Sequence, residues 1–84
     1  MKISLIIPTF NRVSSLERAL VSVVRAKRLP DEIIVVDDGS DDATGPLVRS
    51  FPDIQYCFQE NRGVSAARNA GIHCASHEWI AFLD

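Results

Sequence analysis

The sequence lacks the features that would set it apart from ordinary globular domains. It has no apolar run long enough for a membrane helix, and residues 1–8 carry one Lys before an apolar stretch too short for a signal peptide. Cys57 and Cys74 form neither a CxxC pair nor a regular framework, so we expect reduced thiols and no structural disulfide. Together these absences favour a cytoplasmic protein.

Strong charge of either sign is also missing. Nine Lys and Arg against eleven Asp and Glu give a formal net charge of -2, whereas proteins that neutralise many nucleic-acid phosphates are basic. Nucleic acid is therefore not an expected partner. Apolar types make up 46% of the 84 residues, and a chain of this size buries only about 60 to 65% of its unfolded surface. We therefore expect a single domain with one modest core.

Four short apolar runs predict four β-strands. The runs at 3–7, 33–36 and 79–83 are nearly continuous and rich in β-branched or aromatic residues, a pattern typical of strands covered on both faces of a parallel sheet. The run at 54–58 alternates between apolar and polar positions, which indicates one less covered face. We expect this third strand at an edge.

Three helices are predicted between the strands. The first has a continuous apolar face formed by Leu16, Ala19, Leu20, Val23 and Val24. Ser14 and Glu17 have the spacing of a capping box, which predicts a start near Ser15. A shorter helix is predicted over 42–51, because its Gly and Pro are tolerable only in a first turn. The small residues of 64–75 predict a third helix packed closely on the sheet.

The order βαβαβαβ predicts an α/β fold with three layers, a Rossmann-like parallel sheet joined by right-handed crossovers. The simplest strand order is 3-2-1-4. Because this order reverses direction beside the first strand, ligands are expected in the crevice at the carboxyl ends of strands one and four.

Polar residues follow every predicted strand, at 8–12, 37–42, 60–63 and Asp84. The first loop has neither GxGxxG nor GxxxxGK[ST], which disfavours dinucleotide-dependent hydride transfer and P-loop ATPase chemistry. The convergence of four remote segments at one edge nevertheless predicts a binding crevice.

The residue types in this crevice predict a nucleotide with a diphosphate. Asp38 can accept hydrogen bonds from a base or ribose, and Arg12 and Arg68 can donate forked bonds to phosphate. Gly63 leaves the N–H groups at a helix start open to an anion. Asp84 offers hard oxygen ligands to a divalent cation that bridges the phosphates.

Other interpretations of these residues remain open. The Asp pair at 41–42 is better explained by a turn and a helix cap, since Asp favours both. Arg12 and Arg68 could each be a solvated surface charge. His73 and His77 are four residues apart and could share a helical face, but they lack a convincing third ligand, so no metal site is expected there.

Four ordered motifs spanning nearly the whole chain resemble the amino-terminal half of the family 2 glycosyltransferases. They are IIPTFNR at 6–12, IVVDDGSDD at 34–42, NRGVSAARNAG at 61–71 and FLD at 82–84. The resemblance implies a partial GT-A fold that binds a nucleotide sugar, usually a UDP-sugar, together with Mg²⁺ or Mn²⁺. It further implies transfer of the sugar with inversion to an acceptor hydroxyl.

The resemblance also implies roles for residues of this chain. Those expected to hold the nucleotide are Pro8, Thr9, Phe10, Arg12, Asp38, Asn61, Gly63, Arg68 and Asp84. Asp84 matches the first Asp of the family's DxD motif and is the candidate metal residue. The second Asp and the catalytic base of the family have no counterpart in this sequence, so no catalytic residue is assigned.

Residues 1–84 are therefore expected to form a single truncated nucleotide-sugar-binding domain that is inactive alone. In the full-length protein the resemblance implies a saccharide or lipid-linked acceptor, which leaves membrane association open. The alternative is a non-catalytic, truncated or degenerate Rossmann-like module. Such a module would act only in association, for example through self-association at the open edge of its sheet.

Overall fold

A computed structural model describes residues 1–83 and contains seven regular elements. They are β1 (Ile3–Thr9), α1 (Val13–Val24), β2 (Glu32–Asp37), α2 (Thr44–Arg49), β3 (Ile54–Phe58), α3 (Val64–Cys74) and β4 (Trp79–Phe82). The predicted order βαβαβαβ is confirmed. Within the described range, none of the three helices has the length and apolar content needed to cross a membrane.

The four strands form one parallel sheet in the predicted order, β3-β2-β1-β4. In the centre of the sheet, Ile6 of β1 pairs with Ile34 on one side and with Phe82 on the other. The third strand lies at an edge, as predicted. The apolar run at 79–83 predicted a strand covered on both faces, but β4 is the other edge of the described sheet, with Trp79 54% and Phe82 44% exposed.

Both faces of β2 are covered, which explains its continuous apolar run. Ile33 and Val35 pack into the core that contains Leu16 and Leu20 of α1. Ile34 and Val36 point the other way and pack against Ala67 of α3. The sheet therefore separates two cores, and the three-layer prediction is confirmed.

The prediction of a capping box for α1 is wrong. The helix begins at Val13, two residues before Ser15. Its N-cap residue is Arg12, whose side chain makes no capping hydrogen bond. Instead, the carboxylate of Asp42 accepts a hydrogen bond from the Val13 N–H at 3.3 Å. An acceptor from a remote loop has replaced the local one, which sequence spacing could not indicate.

The predictions about where Gly and Pro lie in α2, and about how closely α3 packs, are confirmed. α2 begins at Thr44, so Gly45 and Pro46 lie in its first turn as expected, although the helix is shorter than the predicted 42–51. Asp42 stands just outside it and accepts a hydrogen bond from the Thr44 N–H at 3.1 Å. In α3, Gly71 is buried directly against Ile6 of β1, which confirms the close approach predicted from its small residues.

Candidate functional site

A cleft of about 460 Å³ lies where β1 and β2 end and α3 begins. It is lined by Pro8, Thr9, Phe10, Arg12, Asp38, Asn61, Gly63, Val64, Ala67 and Arg68. Eight of the nine residues predicted to hold a nucleotide are among them; the ninth, Asp84, lies outside the described residues. The structure thus brings three remote segments together, while their role in binding stays a prediction.

The loops after β1 and β2 are joined by reciprocal hydrogen bonds. The backbone N–H of Asn11 donates to Ser40 Oγ at 2.8 Å, and Asn11 Oδ1 accepts from the Asp41 N–H at 2.9 Å. Asn11 has a φ of 47°, in the left-handed region that Asn tolerates better than most residues. The sequence interpretation gave no role to Asn11 or Ser40, which join these two loops.

Asp38 is a buried side chain of the predicted site that accepts several hydrogen bonds. Its carboxylate accepts bonds from Gln59 Nε2 at 2.8 Å, from the Arg62 N–H at 2.8 Å and from the Gly63 N–H at 2.9 Å. Burial by itself would raise the pKa of Asp38, but these three bonds outweigh burial and lower the pKa below its ordinary value. The group is therefore an ionised acceptor.

The bonds to Asp38 also fix the start of α3. Gly63, the residue before the helix, has a φ of 98°, a backbone conformation that side chains other than glycine's rarely adopt. Because Asp38 accepts hydrogen bonds from the N–H groups of Arg62 and Gly63, it ties the loop between β3 and α3 to the end of β2. The sequence predicted that Asp38 binds a ligand, but it did not indicate that Asp38 also holds the loop before α3.

Thr9 has the most informative side chain in the cleft. It is only 4% exposed, and its Oγ1 is buried without a hydrogen-bond partner among the described residues. Buried polar atoms are nearly always paired, since an unpaired one costs roughly 1 to 3 kcal/mol. This residue of the cleft lining therefore has a hydrogen-bonding capacity that no described residue uses.

Positive charge reaches the cleft from two directions. The guanidinium of Arg12 belongs to the loop after β1, and that of Arg68 lies over the ring of Phe82 in β4, with 5.8 Å between its central carbon and the ring centroid. The amino end of α3 adds the positive end of its dipole. These positive charges favour an anion in the cleft.

Two other acidic residues of the second motif have structural roles. Asp37 is buried; its carboxylate accepts bonds from the Ser40 N–H at 2.9 Å and from the Tyr56 hydroxyl at 2.6 Å. Burial and the bond to Asp37 together raise the pKa of Tyr56 to about 12. Asp42 caps α1 and α2, which agrees with the turn-and-cap interpretation.

The described residues do not form a cation site by themselves. Within residues 1–83 no three His, Cys, Asp or Glu side chains are grouped so that they could hold a metal ion. Asp38 lines the cleft, but three N–H donors already occupy its carboxylate. The candidate metal residue Asp84 lies outside the described part of the chain.

Comparison with known proteins gives one family. The sequence model described as Glycosyl transferase family 2 matches residues 4–84. Validoxylamine A glucosyltransferase from Streptomyces hygroscopicus subsp. limoneus is 45% identical over 89 residues, an alignment that covers 98% of this chain and 20% of that protein. The chain therefore spans about a fifth of the length of this relative.

Two solved structures share the fold. Glucosyl-3-phosphoglycerate synthase from Mycobacterium tuberculosis, in complex with Mn²⁺, UDP and glucosyl-3-phosphoglycerate, matches with a TM-score of 0.84 and 23% identity over 99% of this chain and 33% of that one. Mannosyltransferase PcManGT from Pyrobaculum calidifontis, in complex with GDP-Man and Mn²⁺, matches with a TM-score of 0.74 and 28% identity over 89% of this chain and 24% of that one. The predicted GT-A type of α/β fold is confirmed.

Proposed function

The chain belongs to glycosyl transferase family 2, and from this premise we propose that it binds the nucleoside diphosphate of a sugar donor for a transferase. One observation carries the proposal. Eight residues predicted for this role line a single cleft, and one of them, Thr9, has a buried hydroxyl with no hydrogen-bond partner among residues 1–83. The domain would be the donor-binding part of a longer enzyme, as its share of the relative's length supports.

The charges in the cleft are suited to a diphosphate. Arg12 and Arg68 can each donate paired hydrogen bonds to phosphate oxygens, and the amino end of α3 favours the same anion. Asp38 has one acceptor position left, since a carboxylate offers about four and three are in use. That position is suited to a ribose hydroxyl or a base N–H.

Within this proposal the donor is a UDP-sugar, and the transfer inverts the anomeric carbon, as the resemblance to the family implies. PcManGT, solved with GDP-Man, makes GDP the natural comparison in a binding test. The acceptor is a saccharide or a lipid-linked acceptor, and the full-length protein acts in the cytoplasm, free or at a membrane. Other parts of the longer protein would bind the acceptor and supply the base that removes its hydroxyl proton.

We propose Mg²⁺ or Mn²⁺ as the cofactor, held in part by Asp84. The complex of PcManGT with Mn²⁺ supports a divalent ion. When bound, the ion would neutralise negative charge on the departing diphosphate. The contribution of residues 1–83 is to orient the nucleotide through Thr9, Asp38 and the two arginines.

The competing function is a non-catalytic module that only associates with another protein or a second copy. The exposed Trp79 and Phe82 on the edge strand β4 favour it. In that case the cleft would bind no nucleotide, and β4 would be the contact surface.

A titration followed by NMR of the ¹⁵N-labelled protein distinguishes the two functions. We expect UDP at millimolar concentration with Mg²⁺ to shift the amide signals of Thr9, Asp38 and Gly63, with GDP giving smaller shifts. Arg12→Ala should weaken binding several-fold, because it removes a phosphate donor. Arg18→Ala is the matched control, since it removes the same charge from an exposed position on α1.

Absence of shifts at these three amides would contradict nucleotide binding. Shifts along β4 that depend on protein concentration, and not on nucleotide, would support the association module. Equal effects of Arg12→Ala and Arg18→Ala would show that general charge, and not the cleft, attracts the nucleotide.

A further inference from the structure

The two cysteines of the chain lie side by side outside the cleft. Cys57 is on the edge strand β3 and Cys74 is the last residue of α3, and their Sγ atoms are 3.4 Å apart as free thiols. They are 17 positions apart in sequence, without a motif, so spacing gave no reason to pair them.

We propose that Cys57 and Cys74 are a reversible redox pair that low-molecular-weight disulfides, such as oxidised glutathione, convert into an intramolecular disulfide. A disulfide bond is about 2.05 Å long. The two sulfurs, now 3.4 Å apart, therefore need to approach by only about 1.4 Å. Side-chain rotation at the exposed Cys74 can provide such a movement.

The surroundings of the two thiols fix the order of events. Cys57 is partly buried and packs against the core that contains Ile34 and Val36, while Cys74 is exposed. Burial, together with the hydrogen bond to Cys74, raises the pKa of Cys57 to about 11. Because Cys74 is exposed and Cys57 is partly buried, Cys74 is the residue that meets the reagent first.

The exchange balances in two steps. The Cys74 thiolate attacks one sulfur of oxidised glutathione, whose S–S bond breaks and releases one glutathione thiolate. Cys57, deprotonated, then attacks Cys74 Sγ and expels the second glutathione thiolate. The protein loses two protons and two electrons, and the glutathione disulfide accepts the electrons. The second step is helped because the two sulfurs already lie 3.4 Å apart.

The resulting bond would connect α3 to the edge of the sheet. The closed ring, residues 57–74, contains five residues of the cleft: Asn61, Gly63, Val64, Ala67 and Arg68. A bond across this ring restricts the unfolded chain and fastens the end of α3 to β3. Oxidation is therefore expected to stabilise the wall of the cleft that α3 forms.

Mass spectrometry after incubation with oxidised glutathione tests the proposal. We expect the protein to lose the mass of two hydrogens, to retain no glutathione, and to yield a Cys57–Cys74 cross-linked peptide that dithiothreitol splits. The thermal unfolding midpoint should rise by about 10 to 20 °C, an effect of the size that closing a ring of this length gives in a small domain.

Two single variants supply the controls. Cys57→Ser should stop at a stable glutathione adduct on Cys74, and Cys74→Ser should react far more slowly, since its remaining thiol is partly buried. A wild-type protein that keeps a stable glutathione adduct, or forms only disulfides between molecules, would overturn the proposal. A lower unfolding midpoint after oxidation would also overturn it, because the native fold would then not accommodate the bond.

Discussion

The carboxylate of Asp38 accepts a hydrogen bond from the backbone N–H of Gly63 at 2.9 Å, and this contact joins the end of β2 to the start of α3. The other carboxylate oxygen accepts the Arg62 N–H at 2.8 Å. Asp38 therefore lines the cleft and also shapes the loop that forms its opposite wall. A substitution at this position changes the fold and the site together.

We expect Asp38→Asn to lower the free energy of unfolding by about 2 to 3 kcal/mol. The asparagine amide has the same size as the carboxylate. In the wild type both carboxylate oxygens accept backbone N–H groups, and in the variant one of these oxygens is replaced by an NH₂ group, which cannot accept. The nucleotide-dependent shifts at Gly63 should disappear as the loop loses its conformation. Urea unfolding and NMR titration measure the two effects.

Asp41→Asn is the matched control for this substitution. Asp41 is exposed, and its backbone N–H, not its carboxylate, makes the contact with Asn11. Its free energy of unfolding should change by no more than about 0.5 kcal/mol. If Asp38→Asn proves as stable as Asp41→Asn, the three bonds to Asp38 do not hold the loop.

Thr9→Val should separate binding from stability. Valine has nearly the same shape and removes the buried hydroxyl that has no partner among the described residues. The variant should therefore be as stable as the wild type or more stable by about 1 kcal/mol. Nucleotide binding should weaken several-fold, which NMR titration would show as smaller shifts at equal UDP concentration.

Thr44→Val is the matched control for Thr9→Val, because we expect it to lower stability and leave nucleotide binding unchanged. The hydroxyl of Thr44 is fully buried and donates to Asp42 Oδ1 at 2.5 Å, outside the cleft. We expect a loss of about 1 to 2 kcal/mol in the free energy of unfolding, with unchanged nucleotide affinity. A Thr9→Val variant that binds UDP as tightly as the wild type would mean that the orphaned hydroxyl has no part in binding.

Most of the fold could be predicted because its signals are local. The continuous apolar run of β2 and the alternating run of β3 correctly indicate an inner strand and an edge strand. The continuous run at 79–83 does not, because β4 lies at the other edge of the described sheet. The cleft residues could be predicted for the same reason: the carboxyl ends of parallel strands share an edge, so residues 8–12 and Asp38 converge.

The missed features are those that depend on partners distant in sequence. The cap of α1 comes from Asp42, 29 positions from Val13. The bonds that occupy Asp38 come from residues more than 20 positions later. The periodicity of apolar residues cannot predict such contacts, because they form only when the sheet has brought two loops together. The contact between the two cysteines is another case.

Glu32 should make stability depend on pH. Its carboxylate accepts bonds from the Ser76 N–H at 2.8 Å, Ser4 Oγ at 2.7 Å and Gln55 Nε2 at 2.6 Å. The Ser76 N–H contributes most, and together these bonds lower the pKa of Glu32 from 4.5 to about 2 against the opposing effect of burial. The folded state therefore favours the ionised form, so this stabilisation is complete above pH 4.5 and is lost as the pH falls towards 2.

Urea unfolding between pH 7 and pH 2 checks this dependence, with Glu32→Gln as the comparison. The variant should be less stable than the wild type by about 1 to 2 kcal/mol at pH 7, because the amide has a single acceptor oxygen for these donors. The difference should shrink as the pH falls from 4.5 towards 2. A difference that stays constant over this range would show that the ionised form of Glu32 is not what the fold stabilises.

Gly71→Ala tests how closely α3 packs on the sheet. A methyl group at this position would collide with Ile6 Cγ2 and lie 3.1 Å from its Cδ1, and Ile6 is fully buried in the centre of β1. Alanine improves helix propensity by about 1 kcal/mol, but forcing a methyl into a filled core costs typically 1 to 3 kcal/mol. Because neither the central strand nor the buried side chain can move freely, we expect a net loss of about 1 to 2 kcal/mol in the free energy of unfolding.

Gly45→Ala is the comparison for this substitution, since it also adds a methyl to a buried helical glycine. Its nearest neighbours would be Arg49 Nη1 and Tyr56 Oη, both at 3.2 Å, and the arginine can move into solvent. We therefore expect a change of less than about 1 kcal/mol in chemical denaturation. If Gly71→Ala were as well tolerated as Gly45→Ala, the contact between α3 and β1 would be looser than the structure shows. The position of the cleft wall could then not depend on it.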